Sequence, residues 1–566
     1  MPEPAGPDLT RPDPVPGPAL GPVRLARGAR GAVVAPHHLA TQAGLSVLAA
    51  GGHAVDAAIA TNAVLGVVMP NGCGIGGDAF WLVWDEAHGD QVALNGSGRA
   101  PAGISADALR AAGLDRVPLR GPFAITVPGA VRSWADAHRR WGRLTRGAVL
   151  APAIEQADAG FPAWDGLIRA VEGLWAEIGD QPWGGGFGRV WRAAGRPWRP
   201  GEVIRLPALA ATLRALADHG FDAYYDGDLG ERIASGLQSA GGAHTADDLR
   251  RHRSEWTTPI STGYRGVRVT THPPNSSGFV ALEILRVLER LAPPAGLRFD
   301  GRGWSSAAWI HLIIEAAKLA YADRDRFLAD PAAREAPLEE LLSDRHADEL
   351  AARIDPRRAD PAPPPARTLV GGTIYLAVVD ADGNAVSLIQ SNAAGFGSGV
   401  VDPGTGVHFQ NRGASFSLTP GHPNVLAPGR RTAHTLLPGM LFRDGGRRPW
   451  VIAGSMGGDI QPQIHAGLVS ALVDGRADLA TAVAAPRVTV EPDGWLAPPI
   501  AVQADGALAP GVAEALRALG HRLEMLVAPA VLGHQHAIEL VDGGPAEGGS
   551  LAAITDPRSA GLAAVR

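Results

Sequence analysis

Apolar positions in the first part of the chain recur with a helical period. From His38 to Val68 they predict helix over residues 36–68, interrupted at Gly51-Gly52 and closed by Pro70. A glycine-rich loop, Asn71 to Asp78, follows, and then an aromatic strand, Ala79 to Asp85. Residues 130–260 read as mostly helical, with Trp-rich loops around 173–198, and a long helix is expected over Ser306 to Arg324. The pattern changes abruptly at Thr373. Ile374 to Val379 reads as a strand, Asp380 to Asn384 as a turn carrying Asp382-Gly383, and Ala385 to Gln390 as the returning strand. No internal repeat is present.

The stretch before that hairpin, Asp355 to Arg367, is rich in proline and charge and should run exposed over the surface. Thr373 therefore stands between a connector and a sheet, and an ordinary loop-to-strand junction accounts for it as well as a special role does. Residues 1–30 open with a Pro- and Gly-rich run without an apolar h-region, expected to be a disordered tail rather than a signal peptide.

Composition narrows the chemistry. The chain has 566 residues, 46% of them hydrophobic, enough for a large core. With 73 glycines and 47 prolines it should be rich in loops. A net charge of −6 without a basic stripe argues against nucleic acid as a partner. No apolar run is long enough to span a bilayer, so no membrane partner is expected and the cytoplasm is the default location. Cys73 is the only cysteine, which excludes intramolecular disulfides and cysteine-rich zinc sites. Lys318 is the only lysine and Leu319 follows it, so no P-loop exists. Gly72, Gly74 and Gly77 spell G-x-G-x-x-G, but after a helix and before a strand, the reverse of the dinucleotide-binding order. The histidines show no ligand spacing, so neither metal nor cofactor is implied.

One ordered set of segments carries more. Gly372 to Ser387 (GTIYLAVVDADGNAVS) is similar to the start of the small subunit in γ-glutamyltranspeptidases. HAVD at His53, GIGGD at Gly74, PPNSSG at Pro273, EAAKLAYADR at Glu315, FGSGV at Phe396, NVLAPG at Asn424, GSMGG at Gly454 and APRV at Ala485 follow the family's order. The resemblance covers about residues 32–560. It implies an α+β fold, the four-layer αββα sandwich of N-terminal-nucleophile hydrolases. It also implies self-cleavage between Gly372 and Thr373, giving a large chain that ends at 372 and a small chain 373–566 that stay associated. Thr373 would then be nucleophile, with its freed α-amine as base: a reference pKa of roughly 7.7–8.0 suits that task. Gly457 and Gly458 match the family's oxyanion hole, and Ser391 the hydroxyl that hydrogen-bonds the threonine.

The sequence departs from the family where the substrate's charged groups are held. In QNRGASF, Gln410 to Phe416, Arg412 stands for an acidic or amide residue and Ser415 for an aspartate. His434-Thr435 replaces a Ser-Ser pair, and Ala393 an asparagine. Ser97 takes the family arginine's place, with Arg99 two residues on as a candidate carboxylate ligand. The charge preference is reversed toward a carboxylate. These motifs resemble the oxamate amidohydrolase branch. The expected substrate is thus a small-molecule amide of a carboxylated acyl group, oxamate- or glutaryl-like. The alternatives are a γ-glutamyltransferase or glutathione hydrolase, and a non-catalytic relative.

Overall fold

The computed structural model describes residues 24–192, 194–361, 372–490, 502–527 and 532–566. Two seven-stranded sheets dominate. Their strands are β1 (Ala26–Gly28), β2 (Ala32–Ala35), β3 (Asp78–Asp85), β4 (Asp90–Gly96), β5 (Glu255–Thr257), β6 (Ile260–Tyr264) and β7 (Val267–Thr271). After the connector come β8 (Gly372–Val379), β9 (Ala385–Ala393), β10 (Gly439–Arg443), β11 (Val451–Met456), β12 (His534–Val541), β13 (Ser550–Thr555) and β14 (Leu562–Val565). The first sheet runs β14-β2-β8-β9-β3-β4-β5 and the second β1-β13-β12-β11-β10-β7-β6, with every pairing antiparallel.

Alternation along the strands sorts the layers. On β8, Tyr375, Ala377 and Val379 face the second sheet, where they meet Met440, Phe442, Ile452 and Ile538. Ile374, Leu376 and Val378 point the other way, onto a helical layer. That layer includes α1 (His38–Ala49), α2 (Ala54–Val68), α3 (Ala130–Trp141) and α4 (Arg146–Asp158). The opposite outer layer holds α5 (Gly278–Glu289), α6 (Ala307–Phe327), α7 (Asp344–Ala351) and α8 (Gln461–Val473). The sequence is thus folded as an αββα sandwich, because each sheet has two apolar faces that need cover.

Local signals set the key elements. Every residue of α2 is buried, which explains its Ala/Val-rich composition on all sides. His53 and Asp56 cap its start as a reciprocal pair, and Gly51 (φ 88°) makes the break from α1. Asp380 ends β8. Its carboxylate accepts the backbone N–H groups of Asp382 and Asn384 at 3.0 Å within the turn, and of Ala54 at 3.0 Å on α2.

Three expectations need correction. The tail does not extend to residue 30: Ala26–Gly28 pairs with Leu551–Ala553, and the N–H groups of Ala29 and Arg30 donate to Arg566 O, which satisfies these backbone groups. Residues 1–23 lie outside the described residues. The Trp-rich stretch near 173–198 is not all loop, because helices Asp165–Ile178 and Gly185–Trp191 occupy much of it. The connector is exposed over most of 355–361, yet Ala359 is buried and its N–H donates to Leu519 O at 2.7 Å. Its remainder, 362–367, lies outside the described residues.

Candidate active site

Thr373, Ser391 and Asp78 form one cross-strand row on β8, β9 and β3. Directly paired residues point to the same face, here the inter-sheet side, so the row spans about 10 Å from Cα to Cα at its ends. All three side chains are buried. Thr373 Oγ1 lies 2.9 Å from Ser391 Oγ, which lies 2.9 Å from Gly372 O. Ser391 has one hydroxyl proton, and only as a donor can it bond the carbonyl. Thr373 therefore donates to Ser391, and Ser391 donates to Gly372 O. Ala393 N–H donates to Ser391 Oγ as well, at 2.7 Å, fixing its rotamer. The position before Thr373 must be glycine: a Cβ on Gly372 would run into Asn71 O and come within 3.0 Å of Gly395 Cα.

The far end of the row is charged. Asp78 accepts Gly98 N–H at 3.0 Å and faces His434 Nε2 at 3.2 Å. His434 Nδ1 accepts Leu436 N–H at 3.3 Å, so the ring proton sits on Nε2 and is donated to Asp78. Burial, reinforced by Arg412, keeps this imidazole neutral. Burial pushes Asp78 up to about 7, against the opposing pull of Arg412.

Arg412 opens the short 3-10 turn Arg412–Ser415 and is 2% exposed. Its Nε and Nη1 have no hydrogen-bond partner. Burial lowers its pKa to about 10, with Asp78 and Asp459 working the other way, so it remains a cation at neutral pH. Its backbone N–H donates to Gln410 Oε1, and the preceding residue is anchored by its side chain, Asn411 Oδ1 accepting Ala394 N–H at 2.9 Å. Ser415, half-buried at the end of the turn, is tied through its carbonyl to Asn424 Nδ2 at 2.7 Å. Thr435 is buried beside His434.

Gly457 (φ 149°) and Gly458 (φ 58°) turn the chain from β11 toward α8, a path that a side chain would strain. The next residue, Asp459, is held by Arg324 Nη1 at 2.9 Å and by Tyr321 OH on its carbonyl, both from α6. The Asp459 charge favours the cationic form of Arg412.

Arg99 is in a different setting. Its guanidinium donates to Glu255 Oε1 at 2.7 Å, Asp330 Oδ2 at 3.3 Å and Gly429 O at 3.0 Å. Two carboxylates already neutralise it. The buried basic residue beside it is Arg431, which pairs with the same Glu255. The glycine-rich loop packs against protein rather than cradling a ligand: a Cβ on Gly77 would meet Ser391 O at 2.6 Å, and one on Gly74 the His408 ring at 2.5 Å. Asp78 and Asp459 escaped sequence reasoning. Asp78 reads in the sequence as the end of the glycine-rich loop, and Asp459 is not singled out there.

A family model described as "Gamma-glutamyltranspeptidase" matches residues 40–566. The chain belongs to the γ-glutamyltranspeptidase family. It is 38% identical over 538 residues to the glutathione hydrolase-like YwrD proenzyme of Bacillus subtilis strain 168, covering 95% of this chain and 98% of that protein. It is also 38% identical over 546 residues to the oxamate amidohydrolase proenzyme of Klebsiella pneumoniae, covering 94% and 98%. The crystal structure of cephalosporin acylase from Bacillus halodurans superposes with a TM-score of 0.86 at 36% identity, covering 98% of this chain and 99% of that one. This chain is therefore an enzyme with the N-terminal-nucleophile hydrolase fold. No helix among the described residues is long and apolar enough to cross a membrane.

Proposed function

We propose that this enzyme cuts itself before Thr373 and then hydrolyses an amide whose small acyl group carries a carboxylate and no free α-amine, oxamate- or glutaryl-like. The observation that carries this reading is Arg412: a buried cation with unpartnered N–H groups, whose charge acts on Asp78 at the far end of the row that begins with Thr373. A guanidinium in that state is stabilised by an entering carboxylate. Among the matched relatives, the one named an oxamate amidohydrolase accords with such a substrate.

Maturation starts from the hydroxyl chain. Thr373 Oγ1 attacks the Gly372 carbonyl carbon while Ser391 accepts the Thr373 proton and gives its own to the developing oxyanion. Collapse breaks the C–N bond, the Thr373 nitrogen takes up a proton, and water hydrolyses the resulting ester. The products are the Gly372 carboxylate and a Thr373 with a free amine. In turnover that amine removes the hydroxyl proton as Oγ1 attacks the substrate carbonyl and returns it to the leaving amine; water, deprotonated by the same amine, then cleaves the threonyl ester, releasing the acid and restoring the hydroxyl. The N–H groups of Gly457 and Gly458 serve as donors to the tetrahedral oxyanion. Arg412 holds the substrate carboxylate, with His434, Thr435 and Ser415 shaping the pocket around it. The two chains remain associated through both sheets.

A second reading, a γ-glutamyl hydrolase or transferase, draws on Asp78 and Asp459, either of which would welcome an α-ammonium. Glutaryl and γ-glutamyl p-nitroanilides differ only in that ammonium. Faster release from the glutaryl compound is expected; a clear preference for the γ-glutamyl compound would sink the carboxylate reading.

A further inference from the structure

Helices α5, α6 and α7 converge on a second cluster, on the outer layer and apart from the residues assigned above. Each contributes one side chain: Glu283, Asp323 and His346. His346 Nε2 lies 2.8 Å from Asp323 Oδ2 and 3.2 Å from Glu283 Oε1. Glu283 is 1% exposed, and its Oε2 has no hydrogen-bond partner. Burial and the neighbouring Asp323 push its pKa well above the ordinary carboxylate range.

What is missing there is a fixed cation. Several other buried carboxylates have arginines: Asp556 has Arg487 and Arg558, Asp474 has Arg265, and Asp459 has Arg324, whereas Asp56, Asp78 and Asp380 each face a single histidine without a second carboxylate sharing it. Among the described residues, neither Glu283 nor Asp323 has an arginine or lysine ion pair. The nearby Arg286 is taken by Glu289 and Asp344, and Arg290 by Asp344 and Asp348. Two carboxylates thus crowd one imidazole.

We propose that Glu283, Asp323 and His346 form a structural site for a divalent transition-metal cation of the Zn²⁺ class. The donor set, one imidazole and two carboxylates, suits that ion. Ligand atoms around tetrahedral zinc, at roughly 2.0–2.2 Å from the metal, stand about 3.3 Å from one another. The observed donors, all within 4.8 Å of one another, need only small shifts to reach this geometry. Glu283 closes the inner side. His346 and Asp323 are partly exposed, leaving an outer position for a water as fourth ligand. The ion would pin α7, the last helix before the connector that leads to Thr373. Sequence spacing hides the site because its ligands come from three separate helices. A similar trio, His311, Glu315 and His521, already has a cation, since Lys318 Nζ lies 2.7 Å from Glu315 Oε1.

The test uses full-length enzyme, stripped with chelator and then freed of it. Titration calorimetry with ZnCl₂ should give one ion per chain, and saturating zinc should raise Tm by about 2 °C for a protein of this size. His346→Gln and Asp323→Asn should lose both effects, whereas His521→Gln should keep them. Co²⁺ added to the unmodified enzyme should give the intense visible absorption of a four-coordinate ion. Zinc should also protect His346 from diethyl pyrocarbonate, read by peptide mass spectrometry, which needs no variant to fold. The proposal fails if the stripped enzyme binds no stoichiometric zinc, if His346→Gln binds it unchanged, if His521→Gln abolishes binding, or if zinc leaves His346 modification unaltered.

Discussion

Replacing Arg412 with glutamine removes the guanidinium and keeps a polar side chain of shorter reach. In the unbound enzyme the guanidinium is 2% exposed, without partners at Nε and Nη1. Its charge there is costly, and a buried charge without a full set of partners is often replaced at little loss of stability. The fold should therefore tolerate the change, with Tm falling by no more than about 1 °C. Substrate binding should not. A hydrogen bond to a charged group contributes roughly 1.5–3 kcal/mol, and leaving a substrate carboxylate buried without its partner costs about 2–5 kcal/mol. A loss of about 3–4 kcal/mol corresponds to a fall in kcat/KM of between two and three powers of ten. The assay is steady-state release of p-nitroaniline from the glutaryl anilide, beside a differential scanning trace and a gel showing that processing is intact. Activity should collapse while Tm and processing hold. If the variant kept kcat/KM within threefold of the parent, Arg412 would not be a carboxylate ligand, and the proposed substrate class would go with it.

Other expectations follow from the same geometry. Thr373→Ala should leave a single 58.5 kDa chain on a denaturing gel, with no activity; two bands meeting at 372/373 by intact mass would place the nucleophile elsewhere. Ser391→Ala removes a donor to the scissile carbonyl, so the rate of processing, followed by gel over time, should fall by about 10²-fold. The pH dependence has a definite sign. Asp78 sits at about 7 in the fold, so it ionises as pH rises through that value and weakens the positive field of Arg412. KM for the carboxylated anilide should rise between pH 6 and 8 in the parent and stay flat in Asp78→Asn. Stability moves the same way: a carboxyl raised in the fold holds extra protons between its unfolded pKa, about 4, and 7, so unfolding free energy declines with pH across that window, and the asparagine variant should lack this slope. Asp556, between Arg487 and Arg558, is fully buried, and Asp556→Asn should cost about 3 kcal/mol in denaturant unfolding.

What the sequence discloses is what repeats locally. The α1–α2 pair, its glycine break and the β8–β9 hairpin are legible because periodicity and turn chemistry act over a few residues. Thr373 and Ser391 are eighteen residues apart on one hairpin, so resemblance to the family suffices to pair them. The charged cluster is different. Asp78 meets His434 across 356 positions of sequence, and no local pattern reports such a contact. Arg99 shows the converse. Its proximity to the family arginine's place in sequence suggests a pocket, yet Glu255 and Asp330, from two remote segments, draw it away. The partners of a buried charge are set by tertiary packing, and single-chain patterning carries little about them.

The interleaving of the two sheets has a consequence for what cutting the chain does. β8, which would begin the small chain, lies between β2 from before the cut and β9 from after it. β14 returns to pair with β2, and β1 with β13, so both layers are woven from either side of the break. Scission at one peptide bond would leave this fabric whole. The new amino group would appear already seated against its hydroxyl, in a pocket finished beforehand, and neither piece would have a route out that did not unravel a sheet.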